Sequence, residues 1–180
     1  NGEVSIAAGT NADELVLTTP GTFIVSRPAG ALATNYDLTV TYAASGSAVA
    51  GSNYVALTGS VVIPAGAASA TIEVYPLRTK DGDHTVIVTL TGDAYKISST
   101  SNTASITIKT LTAPDGYNTW IAPGTGAADP AVATNWSKGT VPVTTDNIFV
   151  DGRFSQASMT WSSTMASTVA SWTQSADYTG

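Results

Sequence analysis

His84 is the only histidine in the chain, so any serine–histidine–aspartate relay must be built on it. It stands in the charged turn Asp81-Gly-Asp-His84 at the start of a β-rich run, without a G-x-S-x-G nucleophile elbow. That context predicts an exposed histidine at a strand end. Glycoside hydrolysis asks for two carboxyl groups facing each other across a cleft, one with a raised pKa. The C-terminal part supplies Asp115, Asp129, Asp146, Asp151 and Asp177, all in turn contexts where aspartate normally caps or turns the chain. A phosphate-cradling loop of the G-x-x-x-x-G-K kind is absent. These residues predict no enzyme.

Binding chemistry is better represented. Sugars stack on exposed aromatic faces flanked by polar side chains. Trp120 and Trp136 are the first candidates for such a glycan platform, with Trp161, Trp172, Tyr117 and Tyr178 as the remaining ones. The competing role is structural, because tryptophan in a small β domain is more often core. An intramolecular Lys–Asn isopeptide bond needs a lysine, an asparagine and an acid buried together. Lys109 and Lys96 are conceivable donors, and no spacing singles out either. Asn135-Trp-Ser137 is a glycosylation sequon that stays unmodified in a bacterial protein.

Composition bounds the partners. The 180 residues carry a net charge of −6, and the 7 basic residues are scattered, so no basic stripe exists for nucleic acid. An anionic membrane surface is disfavoured for the same reason. No apolar run reaches the ~20 residues that cross a bilayer, so no membrane insertion is expected. Charged residues make up 11% of the chain, against roughly 25% in ordinary soluble domains. Thr, Ser, Ala and Gly take their place, which favours extended structure with small polar faces. The absence of cysteine rules out disulfides and thiolate zinc sites. The chain opens at Asn1-Gly2 without a signal peptide, which reads as a mature or excised piece. Low charge with Thr/Ser/Gly richness suits a secreted or cell-surface bacterial protein.

The elements that must position these residues read as strands. Glu3–Ala7 alternates weakly, as a first edge strand does; Glu14–Thr18 and Thr22–Ser26 follow. Asp37–Tyr42 places Leu38, Val40 and Tyr42 on one face by the two-residue period. Tyr54–Thr58 and Val61–Ile63 form a broken strand, stopped by Pro64-Ala-Gly66. Ile72 and Val74, then Val86, Val88 and Leu90, then Ile106 and Ile108 continue the alternation. Turn signals separate these runs, as in an antiparallel sandwich. Lys109–Gly116 reads as a connector. Beyond it lie all 4 tryptophans and one clear strand, Asn147–Val150.

An ordered series of motifs in the first part closely resembles the Calx-beta repeat. Gly46-Ser-Ala48, Gly51-Ser-Asn-Tyr54, Gly59-Ser-Val-Val-Ile-Pro-Ala-Gly66 and Ser69-Ala-Thr-Ile-Glu-Val74 stand in the places of its G-T-A, G-x-D-Y, G-x-x-x-I/V-P-x-G and S-A-x-I-x-V elements. Phe23–Arg27, His84–Leu90 and Ala104–Ile108 extend the match, which covers about residues 10–110. The resemblance implies an Ig-like β-sandwich with calcium ligands at one end. Carried over, Glu14 keeps the early-strand glutamate, Asn53 replaces a carboxylate with an amide, and Asp81 and Asp83 stand in the third loop. Departures are Arg78 and His84 in acidic places, and Lys109-Thr110 in place of a final acidic run. Cations where anions should converge oppose a bound Ca²⁺. The resemblance therefore leaves Glu14, Asn53, Asp81 and Asp83 as a weak or vestigial calcium site, closed by Arg78 or Lys109 pairing with Glu14 or Asp81. Calcium is disfavoured and no other cofactor is expected.

Asn135-Trp-Ser-Lys-Gly-Thr-Val-Pro142 with Asp146-Asn-Ile-Phe-Val150 resembles the opening of bacterial autotransporter-like surface proteins, which leads into a β-solenoid. A small second β domain with a tryptophan core is the alternative. The expectation is an all-β protein: an antiparallel Ig-like, Calx-beta-like β-sandwich over residues 1–110, then a Trp-containing β-rich segment over 111–180. Its expected role is a non-catalytic structural or adhesion module of a larger bacterial secreted or cell-surface protein. The alternatives are a calcium-dependent interaction module and a glycan-binding module attached to an exported enzyme. Expected partners are other domains of the same polypeptide, and surface glycans or proteins.

Overall fold

The computed structural model describes residues 3–28, 35–79, 81–161, 163 and 165–180; Asn1 and Gly2 lie outside them. The chain divides into two compact units, Asn1–Leu111 and Thr112–Gly180. No helix among the described residues is long and apolar enough to cross a membrane.

In the first unit, β1 (Ser5–Ala8), β3 (Gly21–Ser26) and β6 (Ser69–Val74) form a three-stranded antiparallel sheet in the order β1-β3-β6. β2 (Ala12–Asp13), β4 (Leu38–Ser45), β5 (Ser60–Ile63), β7 (His84–Thr91) and β8 (Thr103–Lys109) form the second sheet, ordered β2-β8-β7-β4-β5. Its ladders are antiparallel except that β2 runs parallel to β8. The two-residue period sorts the side chains. Val86, Val88 and Leu90 of β7 point inward, as do Val40 and Tyr42, and Ile106 and Ile108. They meet Ile6, Phe23, Val25, Ile72 and Val74 from the other sheet in one core. Burying each such aliphatic or aromatic side chain contributes roughly 1.5–3 kcal/mol. The protein is all-β.

Two local features hold the first unit. Gly46 follows β4 at φ +115°, where a Cβ would stand 2.3 Å from the Thr85 carbonyl oxygen. Only glycine allows this close approach. The Arg27 side chain is buried and donates to the carbonyl oxygens of Ala67, Tyr36 and Pro64 at 2.9, 2.6 and 2.7 Å.

Two expected strands do not form. Glu14–Thr18 is a pair of turns, because Asp13 Oδ1 accepts the Leu15 N–H at 2.7 Å and its carbonyl accepts that of Val16. Within Tyr54–Thr58 only Tyr54 makes bridges, to Ala50 and Pro76, and regular pairing resumes at Ser60.

The second unit holds more strands than the single clear one expected. They are β9 (Tyr117–Thr119), β10 (Ala127–Ala128), β11 (Asn147–Val150), β12 (Ser158–Met159) and β13 (Ser171–Gln174), with a 3-10 turn at Ala133–Asn135. β11 pairs in parallel with both β9 and β13, and β10 pairs in parallel with β12. In chain order the strands alternate between these two sheets, so the chain winds in circuits that stack in parallel. Trp120, Trp136, Ile148, Val150 and Ala157 fill the interior.

Candidate functional site

The residues singled out for calcium gather at one end of the first unit, and Thr79 stands at their centre. Glu14 follows β2, Thr79 and Asp81 precede β7, Asp83 adjoins His84 at the start of β7, and Lys109 ends β8. Glu14 is fully buried. Its Oε1 accepts the Thr79 N–H at 3.1 Å and lies 2.7 Å from the Thr79 hydroxyl, and its Oε2 accepts the Leu111 N–H at 3.2 Å. The Thr79 hydroxyl is also 2.6 Å from Asp81 Oδ1, and Asn53 Nδ2 donates to it at 3.3 Å. A hydroxyl has one proton and serves one carboxylate at a time. Asn53 turns its Oδ1 away, toward the Val49 N–H at 2.8 Å.

Lys109, Arg78 and His84 occupy the rest of this end. Lys109 Nζ donates to Asp83 Oδ2 at 2.7 Å, and the Thr110 N–H to Asp83 Oδ1 at 2.9 Å. Lys109 thus pairs with Asp83, not with Glu14 or Asp81. Arg78 Nε donates to the backbone oxygen of Glu14 at 3.2 Å. His84 Nε2 lies 2.9 Å from Asp81 Oδ1, within the turn that carries both. The lysine contact first, then the Thr110 N–H, holds the Asp83 carboxyl below its ordinary range. The Thr79 hydroxyl first, then His84, does the same for Asp81.

Calcium wants six to eight converging oxygens with free lone pairs. Here Glu14, Asn53 and Asp83 spend their oxygens on N–H and hydroxyl donors, and a lysine ammonium sits on Asp83. Among the described residues no group of three or more His, Cys, Asp or Glu is arranged to hold a metal. The donor set does not fit the ion. Thr79 and Leu111, the residues that tie Glu14 down, carry no mark in the sequence. Leu111 acts through its backbone N–H, which any residue but proline supplies, and Thr79 through its N–H and a hydroxyl that many loop residues carry.

The glycan candidates lie in the second unit. Trp120 and Trp136 are 0% and 1% exposed, so neither offers an indole face to solvent. Their rings meet edge to face at 5.0 Å, and their N–H groups donate to the carbonyl oxygens of Ala157 and Pro130, both at 2.8 Å. This corrects their assignment as a sugar platform: they are core. Trp172 is 45% exposed and packs edge-on against Trp161, with ring centroids 5.6 Å apart. Trp161, Trp172, Gln174 and Tyr178 line an open cavity of about 460 Å³.

No protein-family model matches the chain, and no curated protein matches it in sequence. Among solved structures it is similar to the crystal structure of CBD12 from CALX1.2, with 13% identity and a TM-score of 0.48. That match covers 71% of this chain and 51% of the other, so the chain spans about half of that structure's length. It is also similar to the calcium binding domain CBD12 of CALX1.1, at 14% identity, TM-score 0.47, and coverage of 69% and 51%. The apo-form Calx CBD1 domain matches at 16% identity and TM-score 0.45, covering 60% of this chain and 99% of that one. Similarities of this size carry no argument about activity.

Proposed function

We propose that the chain is a non-catalytic structural or adhesion module of a larger secreted or cell-surface bacterial protein, working without a bound ion. The observation that carries this reading is Glu14. A carboxylate that would face a metal is instead buried and bonded to Thr79 and Leu111. Buried polar groups tied in this way fix loops in place, and the sandwich end closes on its own hydrogen bonds. Low charge on the remaining surface suits a unit joined in series with other domains of the same polypeptide. The test is a calorimetric titration of the chain with Ca²⁺, alongside thermal melts in calcium and in chelator. The expected result is no binding heat and superimposable melts. A calcium-dependent rise in Tm overturns it, in favour of a calcium-dependent interaction module.

A second reading, glycan binding, is supported by the cavity beside Trp172 and not by the tryptophans first singled out. Titration with neutral soluble oligosaccharides while following tryptophan emission tests it. A saturable change that disappears in Trp172→Ala supports it, and an unchanged spectrum removes it.

A further inference from the structure

Two side chains of the second unit meet on the carboxylate of a third. Asp146 lies just before β11 and is 7% exposed. Lys138 Nζ donates to its Oδ1 at 2.7 Å. Asn118, in β9 and fully buried, points its Nδ2 at Asp146 Oδ2 from 3.4 Å and donates to the Thr140 carbonyl at 3.1 Å. The Lys138 backbone N–H in turn donates to Asn118 Oδ1 at 3.2 Å, and the Val143 N–H to Asp146 Oδ2 at 3.0 Å. An amine, a carboxamide and an acid that bridges them are therefore held together, with a backbone donor already on the carboxamide oxygen.

We propose that Lys138 and Asn118 are the partners of an intramolecular isopeptide bond, with Asp146 as the proton carrier. The step balances as follows. Asp146 Oδ1 takes a proton from the Lys138 ammonium along their contact, leaving a neutral amine and a carboxylic acid. The Nζ lone pair attacks Cγ of Asn118. The electron pair displaced onto Oδ1 is stabilised by the Lys138 N–H, the part played by an oxyanion-hole donor. As the tetrahedral centre collapses, Asp146 returns its proton to Nδ2. The Cγ–Nδ2 bond breaks and ammonia leaves, carrying off the second Nζ proton as ammonium. A C–N bond has replaced a C–N bond, nothing is oxidised, and the Asp146 carboxylate is restored. No co-reactant is needed. Burial of Asn118 and Asp146 keeps bulk water off the carboxamide and the acid. Positioning on one carboxylate replaces a bimolecular encounter. Lys138 departs from an all-buried triad: the carboxamide and the acid are buried, but 42% of the lysine side chain is exposed, which leaves Nζ room to move from the carboxylate to the carboxamide. One event per molecule suffices, because loss of ammonia is irreversible.

Neither Lys96 nor Lys109 is placed for this reaction: their amines pair with Glu3 and Asp83. The Lys138 link would tie β9 to the loop ahead of β11, closing one circuit covalently.

Intact-mass measurement of the purified 180-residue chain tests the proposal. The expected mass is lower than the sequence mass by one ammonia, and trypsin fails to cut after Lys138. Lys138→Arg keeps the charge pair with Asp146 but has no amine of the right kind. It returns to the full sequence mass while a thermal melt shows it folded. Asp146→Ala also returns to the full mass. A wild-type chain at the sequence mass overturns the proposal. So does a deficit that persists in Lys138→Arg, which would place the lost ammonia at another residue.

Discussion

Glu14 accepts the backbone N–H of Leu111 at 3.2 Å, joining residues 97 positions apart at the end of the first unit. The same carboxylate holds the Thr79 N–H at 3.1 Å. Glu14→Ala strands the buried Leu111 N–H and the half-buried Thr79 N–H and is expected to lower the unfolding free energy by about 2–4 kcal/mol. Glu14→Gln keeps a carbonyl for one of them and should lose less. Urea denaturation of the two variants gives the order.

The Arg27 guanidinium ties together the carbonyls of Ala67, Tyr36 and Pro64. A lysine reaches one of these at a time, since its ammonium lacks the planar fork. Arg27→Met removes the shared donor from three carbonyls on residues partly open to water and is expected to cost about 1–3 kcal/mol. Arg27→Lys should fall between Met and wild type in thermal melts.

Acid should loosen the second unit. In the chain without a Lys138–Asn118 link, burial pushes the Asp146 carboxyl up, but Lys138, the Val143 N–H and Asn118 outweigh it and hold it below the ordinary aspartate value of 3.8. Asp151 follows the same pattern, its burial outweighed by Arg153. A carboxyl depressed in the folded state contributes stability above its unfolded pKa and loses it as pH falls through the folded one. Tm should therefore be insensitive to these two groups above about pH 5 and fall progressively as the pH drops through the ordinary aspartate value of 3.8 and below it. In Asp151→Asn, whose partner Arg153 takes no part in a Lys138–Asn118 link, the acid-induced fall should be smaller, as melts across an acidic pH series will record.

Tryptophan emission should divide into two classes. Trp120 and Trp136 are shielded, while Trp172 is 45% exposed. Iodide is expected to quench one part of the emission and leave a resistant remainder. Trp172→Phe should remove most of the quenchable part, and equal quenching of every indole would contradict the packing.

The sandwich was legible where side chains alternate against a shared core. Val86, Val88 and Leu90 announce β7, because one residue in two must be apolar when a strand has one buried face. Glu14–Thr18 misleads for the opposite reason. Its valine and leucines favour extension, but Asp13 captures the Leu15 N–H and bends the backbone first. The parallel circuits of the second unit were harder to read, since β10 and β12 are two residues each and leave no period to detect. At the candidate site the acids were legible and their partners were not. Nothing in a one-dimensional reading tells that Thr79 will lie between Glu14 and Asp81, or that Asn118 and Lys138 will share Asp146.

The winding of the second unit has a consequence for scale. Register stacks Asn118, Ile148 and Trp172 in one column, each a circuit further along. A globule gains stability by thickening, and must keep surface and volume in proportion as it grows. A stack of circuits lengthens instead, by ~4.8 Å per added strand at constant cross-section. Reach and width become independent quantities, and a gene can extend the one by duplication while leaving the other untouched.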